Sequence, residues 1–246
     1  MTPHSKYCVL LGDSYLEALQ YQGNRIAAGI VQDKLTSIMS STQIVNLGSS
    51  AHDPYVMWFR LKFYEKYYPP SRIFLVYESF GNLKHFFTRW KSPLDFSIQP
   101  KFGVEQHANK FRLALSNIRS FSAFLTILPR LFTKKTNDIA SDHAVNNALD
   151  TISDESAISM LQDCLLQFRN KYGDSFTYIS IMSDNPYEAR IADFCMVNSI
   201  NYLYNPHIMK PGNLINGDGH LNLMGNKLLA EYLFDFIENA EENKRL

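Results

Sequence analysis

At 246 residues the chain is long enough to fold one α/β domain around a substantial core. Its 24 Lys and Arg balance 24 Asp and Glu, and a formal net charge of zero argues against a dedicated nucleic-acid binder. The sequence has no zinc-type ligand spacing and no Gly-rich phosphate cradle, so neither a metal nor an organic cofactor is expected.

The chain opens on Met1-Thr2-Pro3-His4-Ser5-Lys6, which holds no signal-peptide core, and no later stretch is apolar enough to span a bilayer. The expectation is a cytoplasmic protein. Tyr7-Cys8-Val9-Leu10-Leu11-Gly12 then reads as a strand that delivers Asp13-Ser14 to its C-terminal end, ahead of a helical pattern over 15–38. In an open α/β sheet that is where ligands bind. Asp13-Ser14 is either a helix N-cap or the start of a nucleophile site. A second strand over 43–48 ends in Gly48-Ser49-Ser50, and a helix follows over 54–68. A third strand over 72–77 runs into Glu78-Ser79-Phe80-Gly81-Asn82. Glu78 is either a cleft carboxylate with a raised pKa or a strand-end acid reaching solvent or a basic partner, and the second is the expectation.

The stretch 90–150 reads as an insertion. From 101 to 135 it carries Lys101, Lys110, Arg112, Arg119, Arg130, Lys134 and Lys135 against the single acid Glu105, interleaved with Phe and Leu. That is a basic amphipathic helix or helix pair, broken at Pro129. It is a helix packed on the sheet with a solvated basic face, a cap over the cleft, or a surface that meets anionic lipid or an acidic partner. An acidic, polar loop follows. Beyond it come a helix over 155–172, a strand over 176–182, a helix over 187–197 and a strand over 200–204. Asp218-Gly219-His220-Leu221-Asn222 precedes a last helix over 222–240, whose stripe is Leu221, Met224, Leu228, Leu229, Tyr232, Leu233 and Phe236, with a frayed charged tail.

This alternation argues for a parallel sheet of about five strands with helices on both faces. The first three strands are apolar at nearly every position, as doubly covered strands are, whereas 176–181 alternates more and should lie nearer an edge. Cys8, Cys164 and Cys195 are read as reduced, mostly buried thiols.

The four blocks around Gly12-Asp13-Ser14, Gly48, Gly81-Asn82 and Asp218-Gly219-His220 resemble the SGNH (GDSL-like) hydrolase superfamily, and the flanking patterns GDSYLEALQ and DGHLNLMGNKLLAEYL are similar too. The resemblance covers about the first 85 and the last 45 residues. It implies a flavodoxin-like three-layer α/β/α fold, with the insertion at about 90–150 in a single domain. It implies a serine esterase in which Ser14 is the nucleophile, His220 the general base and Asp218 the carboxylate that orients it. The backbone N–H groups of Ser14 and Gly48 and the side chain of Asn82 would form the oxyanion hole, Gly48 because it permits close backbone approach and Asn82 because it donates without charge. The implied substrate is a small-molecule, glycan or lipid ester. An O-acyltransferase acting on a glycan and a catalytically inactive binding module are the alternatives.

Two departures from the family pattern stand out. Leu83 follows Asn82 where an Asp is usual, which predicts altered loop support. Asp218 and His220 are two apart where three is usual, and Gly219 supplies the backbone freedom to aim both side chains. His52, His85 and His207 all fall near these blocks, and His85, just after Asn82, is the candidate for substrate contact at the cleft rim.

Overall fold

In a computed structural model of the chain, the described residues are 6–50, 52–78, 80–90, 93–99, 152–182 and 185–242. The chain divides into two compact units, Met1–Phe96 with Ile152–Leu246, and Ser97–Thr151. All elements below belong to the first. The basic stretch 101–135 lies outside the described residues.

The first unit runs β1 (Lys6–Gly12), α1 (Ser14–Glu17), α2 (Ala27–Ser37), β2 (Thr42–Asn46), α3 (Pro54–Tyr64), β3 (Pro70–Tyr77), α4 (Phe80–Phe87), α5 (Asp154–Tyr172), β4 (Phe176–Ser180), α6 (Glu188–Val197), β5 (Asn201–Tyr204) and α7 (Leu223–Glu242). The strands form one parallel sheet ordered β2-β1-β3-β4-β5. This is a doubly wound order, and its switch point lies between β1 and β3. Side chains alternate between the two faces of a strand. Cys8, Leu10, Phe74, Val76, Ile179 and Ile181 form one face and pack with α2 and α7. On the opposite face Val9, Leu11, Ile73, Leu75, Tyr77 and Tyr178 are buried. There the aromatic rings continue the core: Trp58 of α3 meets Phe168 of α5 edge-on at 5.2 Å, and Phe168 stacks on Phe176 at 4.9 Å. Apolar strands covered on both sides are what a parallel sheet requires.

Four expectations are corrected. The helix expected over 15–38 is two pieces, because Ala18 adopts the left-handed conformation at φ 44° and ends α1 after a single turn. Leu16 of α1 is buried and the core stripe of α2 begins at Ala27, but between them Leu19 is 77% exposed. Second, β4 is interior and β2 is an edge. The polar residues that make β4 look half-exposed, Thr177 and Ser180, are buried, and the Ser180 hydroxyl donates to Glu188 at 3.1 Å. Third, α4 was not expected. Leu83, in the place of the usual acid, is its fully buried anchor, so the altered loop support takes the form of a helix that carries Asn82 in its first turn. Fourth, Leu221, Leu229 and Leu233 of the expected stripe are buried and Leu228, Tyr232 and Phe236 pack against the core, but Met224 is exposed, Asn226 and Ile237 join the buried line, and the helix continues to Glu242. Cys8, Cys164 and Cys195 are buried and form no disulfide among the described residues. Among the described residues no helix is long and apolar enough to cross a membrane.

Candidate active site

The C-terminal ends of β1, β2 and β3 bring Asp13-Ser14, Gly48 and Asn82 to one edge of the sheet. Asp13 is the N-cap of α1, its Oδ1 accepting the Tyr15 N–H at 3.1 Å, so the cap reading of Asp13-Ser14 is correct as far as Asp13 goes. Ser14 is the first residue of the turn that this cap starts, and it is only half-buried. Its hydroxyl makes no hydrogen bond among the described residues.

The loop after β2 is clamped onto that turn. The Ser49 N–H donates to the Gly12 carbonyl at 2.9 Å. Glu17 accepts the Ser50 N–H at 2.6 Å and also the Ser50 hydroxyl. Asn46 bridges the two segments, donating to the Leu16 carbonyl at 2.8 Å and accepting the Gly48 N–H at 2.9 Å. The Gly48 N–H, expected to face an oxyanion, therefore has an Asn46 partner in this structure. The approach is so close that a Cβ on Gly48 would lie 2.6 Å from Leu16 Cβ and 2.7 Å from the Glu17 backbone nitrogen. Gly48→Ala must therefore push backbone aside in the turn that carries Ser14. It is expected to destabilise the fold by about 1–3 kcal/mol and to lower kcat by roughly tenfold or more, read from thermal melts and steady-state ester hydrolysis.

The fourth block is built by α7 and the loop before it. Asn222 caps α7, accepting the N–H groups of Met224 and Gly225, and its amide donates to the carbonyls of Gly212 and Leu214. Buried Asn226 ties the helix start to α2, accepting the Ala27 N–H at 3.1 Å. Gly219 sits at φ +81°, a conformation that L side chains rarely adopt. The backbone bends there so that His220 Nδ1 and Asp218 Oδ1 meet at 2.6 Å. This loop is also tied to the block that carries Ser14. The Tyr15 hydroxyl donates to the Gly219 carbonyl at 3.0 Å, and the Tyr15 and His220 rings lie 5.3 Å apart. His220 is near enough for its charge to act on Asp13.

Glu78 overturns its expectation. It is 4% exposed, and among the described residues it forms no ion pair with a basic side chain. Its Oε1 accepts the Asn82 side-chain N–H, and its carboxyl lies near enough to that of Asp13, itself 3% exposed, for each to shift the other's ionisation. Burial first, and the Asp13 charge second, push Glu78 up to about 9. Burial also raises Asp13.

Of the three histidines, His85 is exposed on α4 three residues after Asn82, on the same helix face. His207 is exposed in a 3-10 turn, with its N–H bonded to Asn205. His52 is half-buried, its carbonyl accepting the Tyr77 hydroxyl, and burial lowers its pKa. Among the described residues no cluster of His, Cys, Asp or Glu could hold a metal ion.

Sequence reasoning did not single out Tyr15, Glu17 or Asn46. Asn46, beside Gly48 in the second block, was the one with a signal in plain view.

No family model and no curated protein matches this chain in sequence. Solved structures do match it in shape. The psychrotrophic esterase EstA from Pseudoalteromonas sp., in a structure inhibited by monoethylphosphonate, superposes with a TM-score of 0.56 at 11% identity, over 97% of this chain and 100% of that one. The lipase/acylhydrolase from Enterococcus faecalis gives 0.52 at 11% identity, over 96% of each chain. The acetyl xylan esterase AlAXEase gives 0.52 at 12%, over 94% of this chain and 99% of that one. Together with the strand order, this likeness shows that the chain has the SGNH hydrolase fold, a flavodoxin-like three-layer α/β/α architecture.

Proposed function

We propose that the protein is a serine esterase. Ser14 attacks the ester carbonyl, and His220 takes its proton and returns it to the leaving alcohol. Asp218 holds His220 in the required tautomer and stabilises its cationic form. The acyl-Ser14 ester is then hydrolysed by water that His220 activates in the same way. The observation that carries this reading is the fourth-block geometry. A His-carboxylate pair at 2.6 Å is anchored by Tyr15, the neighbour of Ser14, through a carbonyl more than two hundred residues away in sequence. The Ser14 N–H, Gly48 N–H and Asn82 amide are the donors for the developing oxyanion, with the Gly48 N–H exchanging its Asn46 partner for it. His85, on the same face of α4 as Asn82, contacts the substrate at the rim. The structural neighbours named as esterases and as a lipase/acylhydrolase support an ester substrate.

The test is covalent labelling. A fluorophosphonate at neutral pH is expected to add a phosphonyl group to the tryptic peptide containing Ser14, located by mass spectrometry. Boiled protein should not react. An intact, folded protein that takes no label at Ser14 overturns the mechanism and leaves the inactive binding module standing.

A further inference from the structure

The reaction above makes no use of the two acids buried behind the nucleophile. Asp13 and Glu78 leave adjacent strands whose register pairs Gly12 with Val76, and each is more than nine-tenths buried. Among the described residues neither forms a salt bridge with a cationic side chain. Their carboxyls lie near enough to shift each other's ionisation. Two buried carboxylates side by side repel, so one of them keeps its proton, and that proton can bond the other because an ionised carboxylate only accepts.

The outer bonds of the pair say which one holds it. Asp13 accepts the Tyr15 N–H, a bond that an anion makes best at a helix N-terminus. Glu78 has the less stabilised position. Among the described residues it accepts from the neutral amide of Asn82 at Oε1, and its second oxygen can carry the proton toward Asp13. A proton there, given to Asp13, would join the observed Asn82–Glu78 and Tyr15–Asp13 bonds into one relay.

We propose that Glu78 is a positioning residue whose carboxyl, protonated and donating to Asp13, accepts the Asn82 N–H and so fixes the plane in which the Asn82 amide meets the oxyanion. The inference rests on the esterase reading of the site. An amide nitrogen carries its two N–H groups in one plane, so a bond to the first sets the direction of the second. The reaction needs that direction set in advance, because a preorganised donor costs no reorganisation as charge develops.

The proton on Glu78 makes the device pH-sensitive. The titratable groups facing the pair are Tyr15 from α1, Tyr77 from β3, Tyr178 from β4 and His220 from the loop before α7. Burial raises all three tyrosines, so they stay neutral while Glu78 titrates. As pH rises through about 9, Glu78 releases its proton to solvent. The pair then carries two negative charges next to the place where the oxyanion forms, and kcat falls. Stability follows with the same sign. Unfolded, Glu78 ionises near 4.5, whereas folded it holds its proton to about 9, so its stabilising contribution is complete below the first value and is lost as pH rises through the second.

The experiment compares wild type, Glu78→Gln and Glu78→Leu in kcat and KM across pH with p-nitrophenyl acetate, corrected for spontaneous hydrolysis. Glutamine accepts from Asn82 and donates to Asp13 but has no proton to lose. Leucine does neither. Glu78→Leu is expected to lower kcat by about tenfold or more with little change in KM. Glu78→Gln should recover most of that loss and lose the fall in kcat near pH 9. A glutamine variant no better than leucine, or one that keeps the wild-type alkaline limb, overturns the proposal. Infrared spectra of the wild type give a readout that needs no variant to fold. At neutral pH they should show the C=O stretch of one carboxylic acid that disappears at alkaline pH, and its absence overturns the proposal. If Ser14 is labelled and turnover is normal while that band is missing, the Glu78 inference falls alone. If Ser14 takes no phosphonate, the esterase reading falls and the positioning role falls with it.

Discussion

Ser14→Ala is expected to abolish turnover of p-nitrophenyl acetate, with kcat down by about six orders of magnitude or to the assay floor. His220→Ala should reach the same floor, and the double variant should be no worse. Nucleophile and base act as a unit, since without the base the hydroxyl is a poor nucleophile and without the hydroxyl the base has nothing to deprotonate. Asp218→Asn should cost less, about four orders of magnitude, because it alters the tautomer and orientation of His220 without removing it. The half-exposed setting of Asp218 fits this smaller role. The measurement is steady-state hydrolysis of each single variant and the double, with circular dichroism to show that each is folded. Additive losses in the double variant would mean that His220 acts on a different step, and undiminished turnover in Ser14→Ala would remove the acyl-enzyme altogether.

The strands were legible because buried parallel strands must be apolar along their length, and Cys8–Leu11 and Ile73–Tyr77 announce this directly. The placement of Ser14, Gly48 and Asn82 followed, since each closes such a run and the C-terminal ends of parallel strands share one edge. Harder to read were the polar contacts that hold these residues in place. Tyr15 reaches Gly219 across 204 residues and Asn46 reaches Leu16 across 30, and neither contact leaves a local period in the sequence. Glu78 was misread for a related reason. In the linear chain it is one acid at the end of an apolar strand, which implies solvent. Only the pairing of β1 with β3 supplies Asp13 as its partner and makes burial tolerable. The burial of β4 was misjudged where polarity was taken for exposure, at Thr177 and Ser180. The short α4 was missed because Gly81 and Asn82 are both weak helix formers, and the buried ring of Phe80 and side chains of Leu83 and Phe87 outweigh them.

Asn82→Ala should separate transition-state stabilisation from substrate binding. The ester carbonyl in the ground state is neutral and weakly hydrogen-bonded, whereas the tetrahedral intermediate carries a full negative charge on that oxygen. A donor aimed at the charged position therefore acts on kcat far more than on KM. Losing one such donor typically costs about 2.7–4 kcal/mol, which is roughly a hundredfold to a thousandfold in kcat. The fall should sit at the lower end if the Ser14 and Gly48 N–H groups share the charge. Asn82→Asp is the sharper comparison, since it keeps the shape of the side chain but brings a third acid beside Glu78 and Asp13, both buried. It offers the oxyanion repulsion where the amide offered a bond, so its kcat should fall below that of alanine above neutral pH. On acidification the new carboxyl gains a proton and becomes a donor, so Asn82→Asp should recover relative to Asn82→Ala as pH is lowered. Kinetics of the two variants across pH, with thermal melts to compare their stability, decide the matter. A variant pair that changes KM alone, with kcat at the wild-type value, would place Asn82 in substrate binding and take it out of the oxyanion hole.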